Sequence, residues 1–197
     1  MSNKKLDGLT REQLIELYII EKTRRINCEN EISDLKHENE RLQREKIVLE
    51  RNAHYDILTT LDIEKPIYNR NYLESVFTKE NETKSFYMVL ADINNLSFIN
   101  NTYGHKMGDK AIIECAQFLN NYGTVFRFGG DEFVMVFSDD VSRKAFLNYM
   151  QQNPDFNLFS YGMHRKLASE TISDALGFGD KNMYKMKNSK CIESRAN

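Results

Sequence analysis

The sequence predicts an α/β (α+β) fold, a mixed sheet flanked by helices and preceded by a long coiled-coil helix. Three observations carry this expectation. From about Thr10 to Ala53 there is neither Pro nor Gly and the charge density is high, which suits one uninterrupted helix. Two apolar runs of strand length follow, Ser85–Ile93 and Phe133–Phe137. Helical stretches alternate with these strands around a hairpin centred on two glycines, the pattern of a sheet covered by helices.

Within the first segment, steps of three and four residues give the register Leu14, Tyr18, Glu21, Arg25, Cys28, Ile32, Leu35, Asn39, Leu42, Lys46, Leu49, Ala53. Leu35, Leu42 and Leu49 fall at successive d positions. Asn39 and Lys46 fall at a positions, where a polar residue lowers stability but selects register and favours two strands. A parallel dimeric coiled coil over residues 1–54 is the expectation, against a single amphipathic helix lying on its own domain. The apolar cluster Leu14, Ile15, Leu17, Tyr18, Ile19 and Ile20 fits this frame poorly and suggests a partner surface. Thr10, with Gln13 three residues on, reads as a capping start.

Residues 55–197 read as the second domain. Asn69–Val76 is expected to be helical, with a polar connection over Lys79–Lys84 and a strand over Ser85–Ile93. The glycines Gly104 and Gly108 imply a loop that comes close to something, and a helix over Gly108–Asn121 takes Asp109 as N-cap and Gly123 as its C-terminal stop. The hairpin covers Thr124–Phe137 with a tight turn at Gly129-Gly130. Its second arm is apolar throughout, hence covered on both faces. Val141–Gln152 reads as helix, Phe156–Tyr161 as strand, and Thr171–Lys187 as a helix broken at Gly177-Phe-Gly179.

Composition bounds the function. With 197 residues, 41% hydrophobic, 28% charged and a net charge of −2, the chain carries no broad field that would attract nucleic acid or a membrane surface. Its three cysteines, Cys28, Cys115 and Cys191, are widely separated and suit a reducing compartment rather than a disulfide framework. The N-terminus MSNKKLDGLT lacks the apolar core of a signal peptide, and no apolar run approaches transmembrane length. The expectation is a soluble cytoplasmic protein.

Several residues can carry chemistry. Asp131 and Glu132 follow the glycines of the hairpin, where a strand needs no acidic pair; the tip is either a solvated turn or a place where a bulky anion approaches Gly129 and Gly130. Asp92 ends the first strand, as a turn residue or as a ligand for a hard cation. With Asp131 it could hold the magnesium that accompanies nucleotide triphosphates, the phosphates completing the coordination. Asn100 and Asp109 together offer the donors and acceptors that a guanine edge needs, Asp109 having also the N-cap reading above. Lys181, Lys185, Lys187 and Lys190 are either a solvated helix end or a clamp on phosphates. His105 has no nearby second ligand and is no zinc signal.

Taken together, these blocks resemble the GGDEF domain of diguanylate cyclases, whose pentapeptide is here Gly129-Gly130-Asp131-Glu132-Phe133. Asp92-Ile-Asn-Asn-Leu-Ser-Phe-Ile-Asn-Asn101, Gly104-His105 and Gly108-Asp109 match the family's metal and base-recognition block in spacing. Ser160-Tyr-Gly162 is similar to its late strand, and Gly179-Asp-Lys-Asn-Met-Tyr-Lys-Met-Lys187 to its terminal helix. Asp62 keeps the spacing to Asn69-Arg70 of the opening motif, whose Leu-Thr becomes Glu64-Lys65 unless Leu58-Thr59 is the displaced remnant. The resemblance spans about Tyr55–Lys190.

It implies a palm-like mixed sheet and the condensation of two GTP into cyclic di-GMP by facing sites of a homodimer. Asp92, the main-chain carbonyl of Ile93 and Asp131 would hold two magnesium ions, with manganese an alternative. Asp131 would also help activate the 3′-hydroxyl, and Glu132 would support the metals or the nucleophile. Asn100 and Asp109 would read guanine, Arg127 would brace the hairpin carboxylates, and Lys187 would contact phosphate. Ser97 departs from the family by standing where a phosphate-contacting Lys is usual, Cys191 where an Arg often follows. Asn94 replaces a second Asp. Asn120-Asn-Tyr-Gly123 replaces the inhibitory Arg-x-x-Asp, so product inhibition there is not expected. A degenerate module that binds nucleotide or a partner protein without turnover is the alternative implied by Ser97 and Cys191. A coiled-coil scaffold is a third reading. No input domain is recognised, so regulation is expected through oligomerisation, modification or a regulatory protein partner.

Overall fold

The structure is a computed structural model that describes residues 9–62 and 64–196, with residues 189–196 described by their backbone alone. The chain divides into two compact units, Met1–Glu50 and Arg51–Asn197.

Helix α1, Arg11–His54, runs unbroken for 44 residues. It opens on the expected capping box: Thr10 N–H donates to Gln13 Oε1 at 2.9 Å, and Gln13 N–H donates to Thr10 Oγ1 at 3.4 Å. No residue of α1 is buried, and Leu35, Leu42 and Leu49 are between 51% and 63% exposed. An apolar stripe this open has no partner within its own unit, which fits a coiled coil.

The second unit is built on a five-stranded sheet. Its strands are β1 (Tyr68–Asn69), β2 (Phe86–Ile93), β3 (Gly123–Arg127), β4 (Glu132–Phe137) and β5 (Phe159–Lys166). Their spatial order is β1-β3-β4-β2-β5, with β1 parallel to β3 and every other pair antiparallel. Alternation along the strands sorts side chains onto two faces. Val89, Ala91, Ile93, Phe133, Met135 and Phe137 enter one core, while Met88, Leu90, Val134 and Val136 enter the other. The all-apolar arm at Phe133–Phe137 is therefore covered on both faces, as its composition requires.

Asn69 caps the next helix by accepting from Tyr72 N–H at 3.0 Å. That helix runs through α2 (Arg70–Tyr72), a π-helical turn at Leu73–Phe77 and α3 (Thr78–Asn81). Ser75 and Thr78 hydroxyls donate back to the carbonyls of Asn71 and Leu73 at 2.6 and 2.7 Å, a competition that accompanies the widened ladder. It extends past the expected end at Val76, so the polar connection shortens.

Further expectations are corrected here. The stretch after β2 is not a loop but helix α4 (Leu96–Tyr103), followed through Gly104 (φ +84°) by α5 (His105–Asn120). Asp109 therefore lies inside α5 rather than at its N-cap, and Gly123 opens β3 rather than closing the helix. Beyond α6 (Asp140–Gln152), capped by Asp139, strand β5 starts at Phe159, three residues later than expected. Helix α7, Ile172–Ala196, continues through Gly177 and Gly179 without a break.

Packing accounts for Gly179. A Cβ placed on Gly162 of β5 would lie 2.0 Å from the Gly179 carbonyl oxygen and 2.4 Å from Met183 nitrogen. The two glycines let α7 lie directly on β5, and both are buried. Gly162→Ala is expected to cost about 1–3 kcal/mol through forced backbone displacement, read as a lower urea midpoint. The exposed Gly177, with open space around it, should tolerate Ala without that loss.

Candidate functional site

Antiparallel pairing of β2 with β4 sets Asp92 directly opposite Glu132. Just beyond that pair, Ile93 N–H donates to the main-chain carbonyl of Asp131 at 3.0 Å, so the hairpin tip is stitched to the end of β2. Helix α7 brings Lys187 to the same place, its Nζ lying 2.6 Å from Asp92 Oδ1. The Asp92 side chain is only 18% exposed and Lys187 37%. Burial, and then the negative charges of Asp92, Asp131 and Asp180, push the Glu132 carboxyl above its usual range, with Lys187 opposing them. Asp180 and Glu132 are thus close enough to interact, a role for Asp180 that its place in the terminal motif could have suggested.

The hairpin tip differs from the expected two-residue turn. Residues 128–131 form the connection, closed by Phe128 and Gly129 N–H groups that both donate to the Glu132 carbonyl, at 2.8 and 3.2 Å. Neither Gly129 nor Gly130 has a left-handed φ. A Cβ on Gly129 would meet Glu132 Oε2 at 2.8 Å, whereas Gly130 is exposed with open space beside it. Close approach to a ligand is therefore available at Gly130 and obstructed at Gly129 by the Glu132 carboxylate.

Arg127 braces the hairpin, but not through the Asp131 and Glu132 carboxylates. Its guanidinium donates to the Gly130 carbonyl at 2.8 Å and to both carboxylate oxygens of Asp56 at 3.4 Å. Asp56 also accepts from Thr59 N–H and hydroxyl at 3.0 and 2.7 Å. These bonds link Arg127, Asp56 and Thr59, in the stretch that holds Leu58-Thr59. Asp62 only caps a local turn, accepting from Glu64 N–H at 2.9 Å. A carboxylate needed to neutralise an inward-facing arginine identifies itself by its partner, which sequence spacing did not reveal.

Asn100, on α4, reaches across to α5. A Cβ on Gly108 would lie 1.9 Å from Asn100 Oδ1, so that glycine leaves room for the amide. Asp109 follows it and is exposed on α5. Asn94 points away from the carboxylates: its amide donates to Asn157 O and Oδ1 at 3.0 and 3.1 Å, and its Oδ1 accepts from Ser160 hydroxyl at 2.7 Å. Ser97 is exposed. The described lysines of α7 separate, Lys181 lying over the Phe178 ring at 5.4 Å while Lys187 meets Asp92. The side chains of Lys190 and Cys191 lie outside the described residues.

A divalent metal is tested by this donor set. Asp92, Asp131 and Glu132 carboxylates with the Ile93 carbonyl are all hard oxygen donors, and the mutual repulsion felt by Glu132 is what a cation would relieve. Among the described residues no three His, Cys, Asp or Glu side chains are grouped to hold a metal ion. The residues fit magnesium or manganese shared with phosphate oxygens, not a closed protein cage.

A mixed sheet with an acidic hairpin tip beside an acidic strand end, covered by helices on both faces, defines the GGDEF type of α/β domain. The family model described as "Diguanylate cyclase, GGDEF domain" matches residues 53–191, and the chain belongs to this family. The chain is 26% identical over 151 residues to diguanylate cyclase DgcZ of Escherichia coli K12, covering 66% of this chain and 51% of that protein. It is 34% identical over 103 residues to diguanylate cyclase DgcN of the same organism, covering 50% and 25%. The chain thus spans about half and a quarter of the length of these relatives.

Among solved structures, the coiled coil and GGDEF domain of DgcB from Caulobacter crescentus, in complex with c-di-GMP, aligns with TM-score 0.67 at 21% identity. It covers 82% of this chain and 94% of that one. Diguanylate cyclase SiaD in complex with its activator SiaC, from Pseudomonas aeruginosa, aligns with TM-score 0.58 at 20% identity, covering 91% and 75%. At these identities the likeness is one of fold. Among the described residues no helix is long and apolar enough to cross a membrane.

Arg127→Ala removes the bonds to Asp56 and Gly130 and leaves the mostly buried Asp56 carboxylate (18% exposed) without its cation. A loss of about 1–3 kcal/mol in unfolding free energy is expected, measured by denaturant titration. Arg127→Lys should recover little of it, because a single ammonium lacks the fork that serves both partners.

Proposed function

We propose that this chain is a diguanylate cyclase that condenses two GTP into cyclic di-GMP and two pyrophosphates, with residues 1–54 dimerising it and residues 55–197 carrying the chemistry. The observation that carries this reading is the convergence of Asp92, Asp131, Glu132 and Lys187 at one end of the sheet. Asn100 is held open by Gly108 on the neighbouring helices. Acidic oxygens for a cation, a lysine for phosphate and an amide with Asp109 for a base are the requirements of a purine triphosphate site.

Asp92, Asp131 and the Ile93 carbonyl would hold magnesium or manganese, which when bound supplies charge neutralisation on the triphosphate and activation of a 3′-hydroxyl. Asn100 and Asp109 orient guanine, the carboxylate accepting from N1–H and N2–H2 and the amide donating to O6 or N7. Asp131 lies at the hairpin tip to accept the 3′-hydroxyl proton, and Glu132 supports it from the next position. The 3′-oxygen then bonds to the α-phosphorus of the second GTP, and the bond to pyrophosphate breaks. Repetition in the opposite sense closes the ring. Positioning supplies most of the catalysis in such a transfer.

Each hairpin is one half of the reaction centre, so two chains must face one another. The open Leu35, Leu42 and Leu49 stripe of α1 supports a parallel dimer, which raises the local concentration of one domain beside the other to about the millimolar range. The exposed cluster from Leu14 to Ile20 supports docking of a regulatory protein on the same helix.

Incubating the purified chain with GTP and magnesium should give cyclic di-GMP by mass spectrometry, and Asp131→Ala should abolish it with the circular dichroism spectrum unchanged. Leu42→Lys should shift the chain from dimer to monomer by light scattering and remove turnover with it. Ser97, where a cation is usual, favours a second reading: a module that binds GTP without turnover. No product from a verified wild-type dimer that binds GTP would select that reading.

A further inference from the structure

Lys187 makes a contact that phosphate binding does not require. Its ammonium sits 2.6 Å from Asp92 Oδ1, a separation typical of a strong charge-assisted bond. Asp92 is the carboxylate that the proposed reading gives to the cation, and it stands opposite a second carboxylate, Glu132, in the β2–β4 ladder. An ammonium is a compact positive charge with three donors, so Lys187 fills the electrostatic place of a metal ion.

The contact is also built to be exchanged. Asp92 is the last residue but one of β2, which is paired on both sides, with Glu132 of β4 and Ser160 of β5 as its ladder partners, so its backbone is fixed. Lys187 is carried on a four-carbon stem and is twice as exposed as its partner, 37% against 18%. The turn of α7 that carries it is anchored separately, since Tyr161 N–H of β5 donates to Met186 Sδ at 3.4 Å and Asn182 Nδ2 donates to the Met163 carbonyl at 3.0 Å. Rotation about the lysine stem alone frees the carboxylate, with no movement of helix or strand.

From this geometry we infer that Lys187 makes the site select its cation together with the nucleotide. A bare divalent ion must displace the ammonium from Asp92 and break the ion pair between them. A cation arriving with a triphosphate brings the anion that receives the displaced lysine. The ion and the nucleotide therefore bind with positive coupling, and Lys187 is the residue that couples them. This inference rests on the assignment of Asp92 to the metal, and its test reads binding rather than turnover.

The probe is Mn2+, titrated into the full chain without nucleotide and followed by the electron paramagnetic resonance signal of the free ion. Wild type is expected to bind weakly. Lys187→Met should bind about tenfold more tightly, the scale of one lost charge-assisted bond. Lys187→Arg, which keeps the charge, should stay as weak as wild type. Adding a non-reactive GTP analogue should tighten Mn2+ binding strongly in wild type and much less in Lys187→Met. Should Lys187→Met fail to fold by circular dichroism, Lys187→Gln carries the same expectation. Tight Mn2+ binding by wild type alone, or equal affinities in wild type and Lys187→Met, would overturn the inference. Unchanged Mn2+ binding in Asp92→Asn would instead overturn the metal assignment beneath it.

Discussion

The pairing of β2 with β4 is the constraint on which the rest of the structure depends. It is a ladder of apolar residues buried on both faces, and its last rung is two carboxylates, Asp92 and Glu132. Two acids side by side, largely withdrawn from water, are unfavourable unless a cation meets them. The hydrophobic cores above and below hold that rung in place. The charge problem at its end is then answered by what is packed around it: Lys187 from α7, and in the proposed reaction a divalent ion.

Seen from this rung, the surrounding elements have distinct tasks. Gly162 and Gly179 let α7 lie on β5, which is how a lysine late in the chain reaches a strand end near the middle. Arg127 ties the hairpin tip to Asp56, the second residue past α1 in the chain, so the tip is held from behind by a pair that takes no carboxylate away from the site. Asn94 secures the end of β2 to the start of β5. Asn100 occupies space that only a glycine at 108 leaves free. Each of these contacts fixes backbone, while Asp109 and Ser97 remain exposed.

The long helix poses a separate physical problem. Its apolar residues are open along its whole length, and its ion pairs, such as Arg25–Glu29 and Lys46–Glu50, are exposed and contribute little. In the proposed dimer the heptads of its second half would be covered by an identical helix, and the cluster at its start, which has no single stripe, by a broader partner.

Much of this was legible in the chain itself. Periodicity sufficed for α1, for its capping box and for the doubly covered strand at Phe133–Phe137, because side-chain alternation and helical repeat are local properties. Motif spacing singled out Asp92, Asn100, Asp109, Asp131, Glu132 and Lys187, and the structure brings Asp92, Asp131, Glu132 and Lys187 to one end of the sheet. Helix α4 was missed because Gly104 and Gly108 beside it read as a loop, and the break at Gly177–Gly179 was expected because glycine disfavours helix locally. Packing against β5 overrides that preference. Residue types and their order thus determined the family of fold and which side chains could carry charge. Only the tertiary structure decided which charges meet: that Arg127 belongs to Asp56 rather than to the hairpin acids, and that Lys187 belongs to Asp92. Ion pairs between residues 71 and 95 positions apart depend on how helices pack on the sheet, and no local rule encodes that distance.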